Sequence, residues 1–253
     1  MKVSQYQKNQ QIEALIDRKD FAGEAYSQDE LEFISAYRGS GGQAPRGAKG
    51  TGVLYEFYTP PEVARFMWAL ASHYGYREGS ILEPSIGSGE LALGAPDKSQ
   101  VTGFETNRYS ARIAELRLPG SKVYRQFFET AFLEGPRYAN KAATPWIKGY
   151  PFSLVIGNPP YGVHANRYSS FFTRPQMPNL ESFFLYYGLQ LLKPGGLLVY
   201  LIPQGWLRTG SAYNKAKEAC ARLAVLRDAY RLPPVFEKSK VPVDIVVYQR
   251  KSQ

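Results

Sequence analysis

Apolar positions along this chain fall into short continuous runs separated by stretches with helical spacing. Ile81-Leu82-Glu83-Pro84, Val101 to Glu105, Lys122 to Arg125, Phe152 to Ile156 and Leu197 to Ile202 read as strands. Runs this short and this apolar fit strands covered on both faces. Between them, Glu90 to Ala95, Asn107 to Leu116 and Leu180 to Leu192 read as helices. Upstream, Pro60 and Pro61 introduce a helix carrying Val63, Phe66, Met67, Leu70 and Ala71 on one face. Strands alternating with helices predict parallel pairing in a doubly wound α/β sheet. The end differs, because Ala224 to Tyr230 and Val243 to Tyr248 are strand-like with only Pro233 to Val241 between them, which predicts a closing antiparallel pair. From about Gln7 to Tyr37 the pattern predicts two short helices, the second opening on Ser27 with Glu30 three positions on, a capping box. Gly39, Gly41, Gly42, Gly47, Gly50 and Gly52 then make a linker or a loop over a ligand. The organisation expected is a helical lead-in with a glycine-rich loop over 1–50 and one α/β domain over 51–253.

Composition narrows the class. With 44% hydrophobic and 21% charged residues in 253, the chain is globular rather than disordered or fibrous. The longest apolar candidate, Leu197 to Pro203, is strand-length, so no membrane span is expected. The N-terminus mixes Lys2, Lys8, Glu13 and Asp17 without a signal-peptide core, which suggests the cytoplasm. A single cysteine, Cys220, excludes an internal disulfide and a cysteine zinc cluster, and His73 and His164 lie far apart, so no metal is expected. The formal charge is +9. It favours a polyanionic partner, as does the segment from Pro203 onward, where ten basic residues stand against four acidic ones.

Two motifs carry chemistry. Glu83-Pro84-Ser85-Ile86-Gly87-Ser88-Gly89 follows a predicted strand and opens a helix, so its glycines let backbone approach a ligand at the carboxyl edge of the sheet. Position 92 is Ala, where the dinucleotide fingerprint needs glycine, which disfavours a pyrophosphate. Eighteen residues beyond Gly87, at the end of the next strand, stands Glu105. An acid there can accept both hydroxyls of a ribose, or be only a surface acid. An adenosine ligand without pyrophosphate fits the first option, and S-adenosylmethionine is one. The second motif is Asn158-Pro159-Pro160-Tyr161, directly after Leu154-Val155-Ile156-Gly157. Two prolines remove two amide donors and leave carbonyls and the Asn158 side-chain oxygen as acceptors. Acceptors on both N–H groups of a conjugated amine favour pyramidal nitrogen and aim its lone pair at an electrophilic methyl group. Tyr161 offers a flat face to the ring that bears the amine.

Together these motifs resemble the amino-methyltransferases of the seven-stranded class. Tyr58-Thr59-Pro60-Pro61-Glu62-Val63 before the glycine loop is similar to the cofactor motif of gamma-group N6-adenine DNA methyltransferases, which include the methylation parts of type I and many type II restriction-modification systems. The likeness spans about Leu54 to Gln249 and includes Leu191-Leu192-Lys193-Pro194-Gly195-Gly196 and Val235-Phe236-Glu237-Lys238-Ser239-Lys240-Val241. The resemblance implies a Rossmann-like, class I S-adenosylmethionine-dependent fold with a small helical N-terminal extension. It implies that Tyr58, Thr59 and Pro60 border the methionine part of the cofactor, that Glu83, Ser85, Gly87 and Gly89 line its pocket, and that Glu105 with Thr106 holds the ribose. Asn158 and the Pro159 carbonyl would hold the target amine, with Tyr161 and Phe236 sandwiching a base flipped out of the helix; Phe236 could equally fill the core.

Some positions depart from the family pattern. Where the family carries an acidic residue followed by Phe after its third strand, this chain has Gln126-Phe127-Phe128-Glu129, with Phe128 the candidate for the cofactor pocket. Ser153 stands where aspartate is common and is expected to be structural. Gamma-group enzymes also carry a carboxyl-terminal target-recognition domain, which is not expected after Gln253. Specificity is then expected from inserted loops, a specificity subunit or a further domain. Two loops have the aromatic and basic residues that suit unstacked bases and phosphates. They are Gly162 to Pro178, with Arg167 and Arg174, and Pro203 to Tyr213, with Trp206 and Arg208; Lys240 is a further basic contact. Three other readings stay open, namely adenine methylation of RNA, methylation of protein glutamine, and a non-catalytic binding subunit.

Overall fold

The structure is a computed structural model, and it describes residues 4–38, 58–134, 140–141, 147, 150–173, 175, 177–209, 213–236 and 241–252. Helices α1 (Gln5–Ala22) and α2 (Gln28–Ser35) open the chain, and both begin on capping boxes, at Ser4 and at the expected Ser27. Helix α3 (Pro61–His73) starts with Pro61 at its first position, where a missing N–H costs nothing. Then come β1 (Ile81–Glu83), β2 (Val101–Phe104), α4 (Arg108–Arg117), β3 (Lys122–Tyr124), a small pair β4 (Leu133–Glu134) and β5 (Asn140–Lys141), and β6 (Phe152–Gly157). The chain continues through α5 (Leu180–Gln190), β7 (Leu192–Pro203), α6 (Asn214–Leu223), β8 (Ala224–Arg231) and β9 (Val243–Arg250).

Seven strands form one sheet in the order β3-β2-β1-β6-β7-β9-β8. Pairings from β3 through β7 are parallel, whereas β7 with β9 and β9 with β8 are antiparallel, so the expected closing pair is present. Alternate residues of each strand face opposite layers. Leu82, Val155, Leu198 and Tyr200 pack with α5 and α6 on one side. Ile81, Leu154, Leu197 and Val199 pack with α3 and the inner face of α4 on the other. The chain leaves β1 toward β2 and β3, then returns to place β6 on the opposite side of β1. That reversal makes a topological switch point, where loops diverge and leave a crevice at the carboxyl ends of the strands.

Helices α1 and α2, with Tyr37 just after them, bury Ile12, Ile16, Ile34 and Tyr37 against Ile113 of α4. Asp17 takes Arg108 and Asp20 takes Arg112 at 2.7 Å, which fixes the lead-in to the outer face of α4.

Three expectations need correction, and one helix is added. Glu90 to Ala95 is not an α-helix but a single 3₁₀ turn at Ala92–Gly94, because the segment is too short to nucleate a helix; the Trp68 indole N–H donates to its Leu91 carbonyl at 2.7 Å. Phe66 does not join the buried face of α3; it is 38% exposed and meets the Tyr230 ring edge-on. Helix α6 was not anticipated, although Ala216, Ala219 and Cys220 have helical spacing and are buried. Trp206, expected to face substrate, is a core residue, 1% exposed, whose indole N–H donates to the Tyr248 hydroxyl at 3.0 Å. An indole carries enough apolar area to be drawn inward wherever its N–H finds a partner. No helix among the described residues is long and apolar enough to cross a membrane.

Candidate active site

The loops after β1, β2, β3 and β6 surround a cavity of about 340 Å³ at the switch point. From the first loop come Glu83, Ser85, Ile86 and Gly87. Gly87 has φ +54°, and a Cβ there would stand 3.1 Å from the Tyr58 ring, so glycine is required twice over. Gly89 has φ +82° and lies close against Leu118 at the end of α4, behind the wall rather than on it. Tyr58 and Thr59 border the cavity, while Pro60 caps α3 just outside it.

Glu105 ties the first two loops together. The Gly87 N–H donates to its Oε2 at 3.1 Å and the Asn107 N–H to its Oε1 at 2.7 Å. The carboxylate therefore has a fixed direction at the cavity wall, with Thr106 beside it. Glu83 sits deeper, 3% exposed, and its Oε2 is a buried oxygen without a hydrogen-bond partner. Burial pushes its carboxyl well above the usual carboxylate range, opposed by the Ala92 N–H and reinforced by the negative charges of Glu105 and Glu90. A buried acid left with an orphan oxygen in a cavity wall fits a cationic ligand, as the ammonium and sulfonium of S-adenosylmethionine are. Phe128 contributes an apolar wall and stands edge-on to Phe104.

On the other side stands the segment after β6. Asn158, Pro159, Pro160 and Tyr161 all border the same cavity. The Tyr161 hydroxyl donates to Asn158 Oδ1 at 2.8 Å and also lies 3.2 Å from the Leu201 carbonyl. Burial raises the Tyr161 pKa strongly, with the charge of Glu181 adding to it. Beyond the motif, the Gly162 N–H donates to Glu181 Oε2 at 2.9 Å, and Tyr213 donates to the other oxygen.

Other expected contacts fall elsewhere. Phe236 is 8% exposed and belongs to the core cluster against which Tyr161 packs, not to the cavity wall. Arg167 lies over the rings of Phe127 and Tyr168, at 5.3 and 4.9 Å, and Arg208 is exposed with a bond to Gln204. Arg174 and Lys240 lie outside the described residues. Several wall residues escaped the sequence reading, among them Glu90, Phe127, Leu180 and Phe184. Glu129, noted only as a departure from pattern, is 1% exposed and takes His164 Nε2 at 2.9 Å and the Asn166 amide. Glu181 also escaped the sequence reading; its one signal is that it is the single charged residue of α5, a type of residue that is buried only when partnered.

Defense against restriction protein B of Escherichia phage P1 is 26% identical over 231 residues, covering 90% of this chain and 9% of that protein. The type II methyltransferase M.TthHB8I of Thermus thermophilus is 28% identical over 210 residues, covering 76% of this chain and 44% of that one. The chain thus spans less than half the length of these curated relatives. A class I S-adenosylmethionine-dependent methyltransferase structure from Listeria monocytogenes superposes with a TM-score of 0.65 at 16% identity, over 90% of this chain and 69% of that chain. The fold is that of class I methyltransferases, and its cofactor is S-adenosylmethionine. A family model matches residues 99–227, just over half the chain and the span from β2 through Asn158 to the start of β8, so the protein belongs to the Eco57I restriction-modification methylase family.

Proposed function

We propose that the protein transfers the methyl group of S-adenosylmethionine to the N6 amine of adenine in DNA, using a base extruded from the duplex. One observation carries this reading: the acceptor set of Asn158-Pro159-Pro160 and the acidic cradle of Glu83 and Glu105 border a single cavity. When bound, the cofactor supplies an electrophilic methyl group. Glu83 and Glu105 bind and orient it through its positive charge and its ribose. Asn158 Oδ1 and the Pro159 carbonyl accept the two N–H groups of the amine, draw the nitrogen out of conjugation and aim its lone pair. The proton becomes acidic once the nitrogen carries a fourth bond, and it leaves to water without a dedicated base. The two prolines keep competing donors away. Tyr161 presents a ring to the base, and stacking of about 1–3 kcal/mol offsets part of the cost of extrusion.

DNA is favoured over other amines by the +9 charge and by the family's tie to restriction-modification. The chain spans less than half the length of these relatives, so a further domain or a specificity subunit is proposed to choose the site, with the exposed Arg167 and Arg208 contacting phosphates. The test is methyl transfer from labelled cofactor to duplex DNA, transfer and ribosomal RNA, and a protein extract, with modified nucleosides identified by mass spectrometry and Asn158→Ala as control. N6-methyladenine in DNA alone is expected. Label in RNA or on protein glutamine overturns the substrate, and no label despite cofactor binding favours a non-catalytic subunit.

A further inference from the structure

Helix α5 carries one charged side chain, Glu181, in its first turn, and that residue is 3% exposed among apolar neighbours. A carboxylate stays in such a place only where donors converge on it. Two do, and they come from different loops at the carboxyl edge of the sheet. The Gly162 N–H, next to Tyr161, donates to Oε2 at 2.9 Å. The Tyr213 hydroxyl, at the end of the loop after β7, donates to Oε1. Gly162 is held from its other side as well, because its carbonyl accepts the Leu180 N–H at 2.7 Å. Tyr213 in turn meets the buried Trp206 indole edge-on, with ring centroids 5.4 Å apart.

We infer that Glu181 is a positioning residue that couples the Asn158-Pro159-Pro160-Tyr161 motif to the loop after β7, so that ordering one of them orders the other. This rests on the amine-methylation reading above, and it adds a path by which phosphate contacts reach the amine site. The two oxygens of a carboxylate belong to one rigid plane. A displacement of Tyr213 therefore turns the whole group and draws Oε2 off the Gly162 N–H. Gly162 follows Tyr161 directly, and the motif is fixed at its opposite end by the Ser85 hydroxyl on the Asn158 carbonyl at 3.1 Å. Removing Glu181 takes away one of the two bonds that hold Gly162 to the first turn of α5. At the far end of the path, Arg208 stands exposed in the same loop as Tyr213, and its carbonyl accepts Lys217 of α6. A phosphate taken by Arg208 thus bears on the loop that holds Tyr213 and, through one carboxylate, on Tyr161.

Tyr213→Phe tests the coupling, because it keeps the ring against Trp206 and removes only the hydroxyl, on a residue that does not border the cavity. On genomic DNA free of N6-methyladenine, kcat is expected to fall roughly tenfold, the size of one hydrogen bond to a charged group. KM and the cofactor dissociation constant are expected to stay within about twofold. Glu181→Gln, which offers one acceptor to two donors, is expected to be at least as slow. A second measurement does not need turnover. In native-state hydrogen exchange the Gly162 amide is expected to exchange about tenfold faster in Tyr213→Phe, although the lost hydroxyl is not bonded to it, while the amides of β6 and β7 keep their wild-type rates. A brace that serves stability alone would speed the sheet amides together with Gly162, and that result overturns the inference. An unchanged Gly162 rate overturns it whether or not the wild type methylates DNA, as does either variant being as fast as an active wild type. A wild type inactive on every amine defeats the methylation reading, and the Gly162 amide then decides the coupling alone.

Discussion

The Ser85 hydroxyl donates to the backbone carbonyl of Asn158 at 3.1 Å, joining two loops that lie 73 residues apart in sequence. Under the proposed function one loop holds the cofactor and the other the amine, so this bond couples the two sides of the cavity. Ser85→Ala removes the donor and leaves a carbonyl beside Pro159 without it. A loss of about 1 kcal/mol is expected, or roughly fivefold in kcat/KM, with cofactor affinity nearly unchanged. Steady-state kinetics with calorimetric cofactor titration separates the two. A variant that loses only cofactor affinity would place Ser85 in binding alone.

Cofactor binding is expected to depend on pH through Glu83. Its carboxyl is raised above the usual range in the folded protein, so burial favours its protonated form. The stability this lends is fully present below the unfolded carboxyl value, about 4.3, and is lost as pH rises through the folded value. A cation in the cavity favours the ionised form instead. Binding of S-adenosylmethionine is therefore expected to release a proton and to tighten as pH rises until Glu83 is already ionised. Titration calorimetry in two buffers of different ionisation enthalpy reads the release directly. Glu83→Gln should abolish it; identical heats for the wild type in both buffers contradict the assignment.

Trp206 offers a test of burial against motif. Its indole fills the layer beneath α6 and donates to Tyr248, so Trp206→Phe is expected to cost about 1–3 kcal/mol of stability. Chemical denaturation measures that loss. DNA affinity should stay at the wild-type value, and a weakened complex with unchanged stability would return the indole to the substrate face.

The lead-in helices depend on a small core of their own. Ile12 is fully buried against Ile34 and Ile113, and Ile12→Ala is expected to cost about 2–4 kcal/mol locally. Hydrogen exchange should show α1 and α2 opening faster while β6 and β7 keep their protection. Uniform acceleration throughout the sheet would instead make the lead-in part of the main cooperative unit.

The strand sequence was legible because strands buried on both faces leave little room for polar residues, as in Leu154-Val155-Ile156 and Leu197 to Ile202. Proline and glycine marked the loops for a similar reason, since Gly87 must adopt a left-handed backbone beside Tyr58. Less legible were short elements whose fate depends on a neighbour. The turn at Ala92–Gly94 lies close against Trp68, and Trp206 is buried with its N–H on the hydroxyl of Tyr248. Glu129 and Glu181 were hidden as well, because an acid reads as surface until the partners that satisfy it, His164 and Asn166 or Gly162 and Tyr213, are seen to converge.

By itself, the amino-acid sequence determined the α/β class, the parallel order with its antiparallel close, and the two motifs at strand ends. Period, chain direction and turn chemistry are local properties, and local residues suffice to specify them. Only the tertiary structure decided that Glu83, Glu105, Asn158 and Tyr161 share one cavity, that Phe236 and Trp206 turn inward, and that the Tyr161 hydroxyl meets Asn158. Those outcomes depend on which distant side chains meet when the sheet reverses direction at β1. A linear pattern shows that a residue can bury or bond, but the partner that makes it do so is chosen by packing.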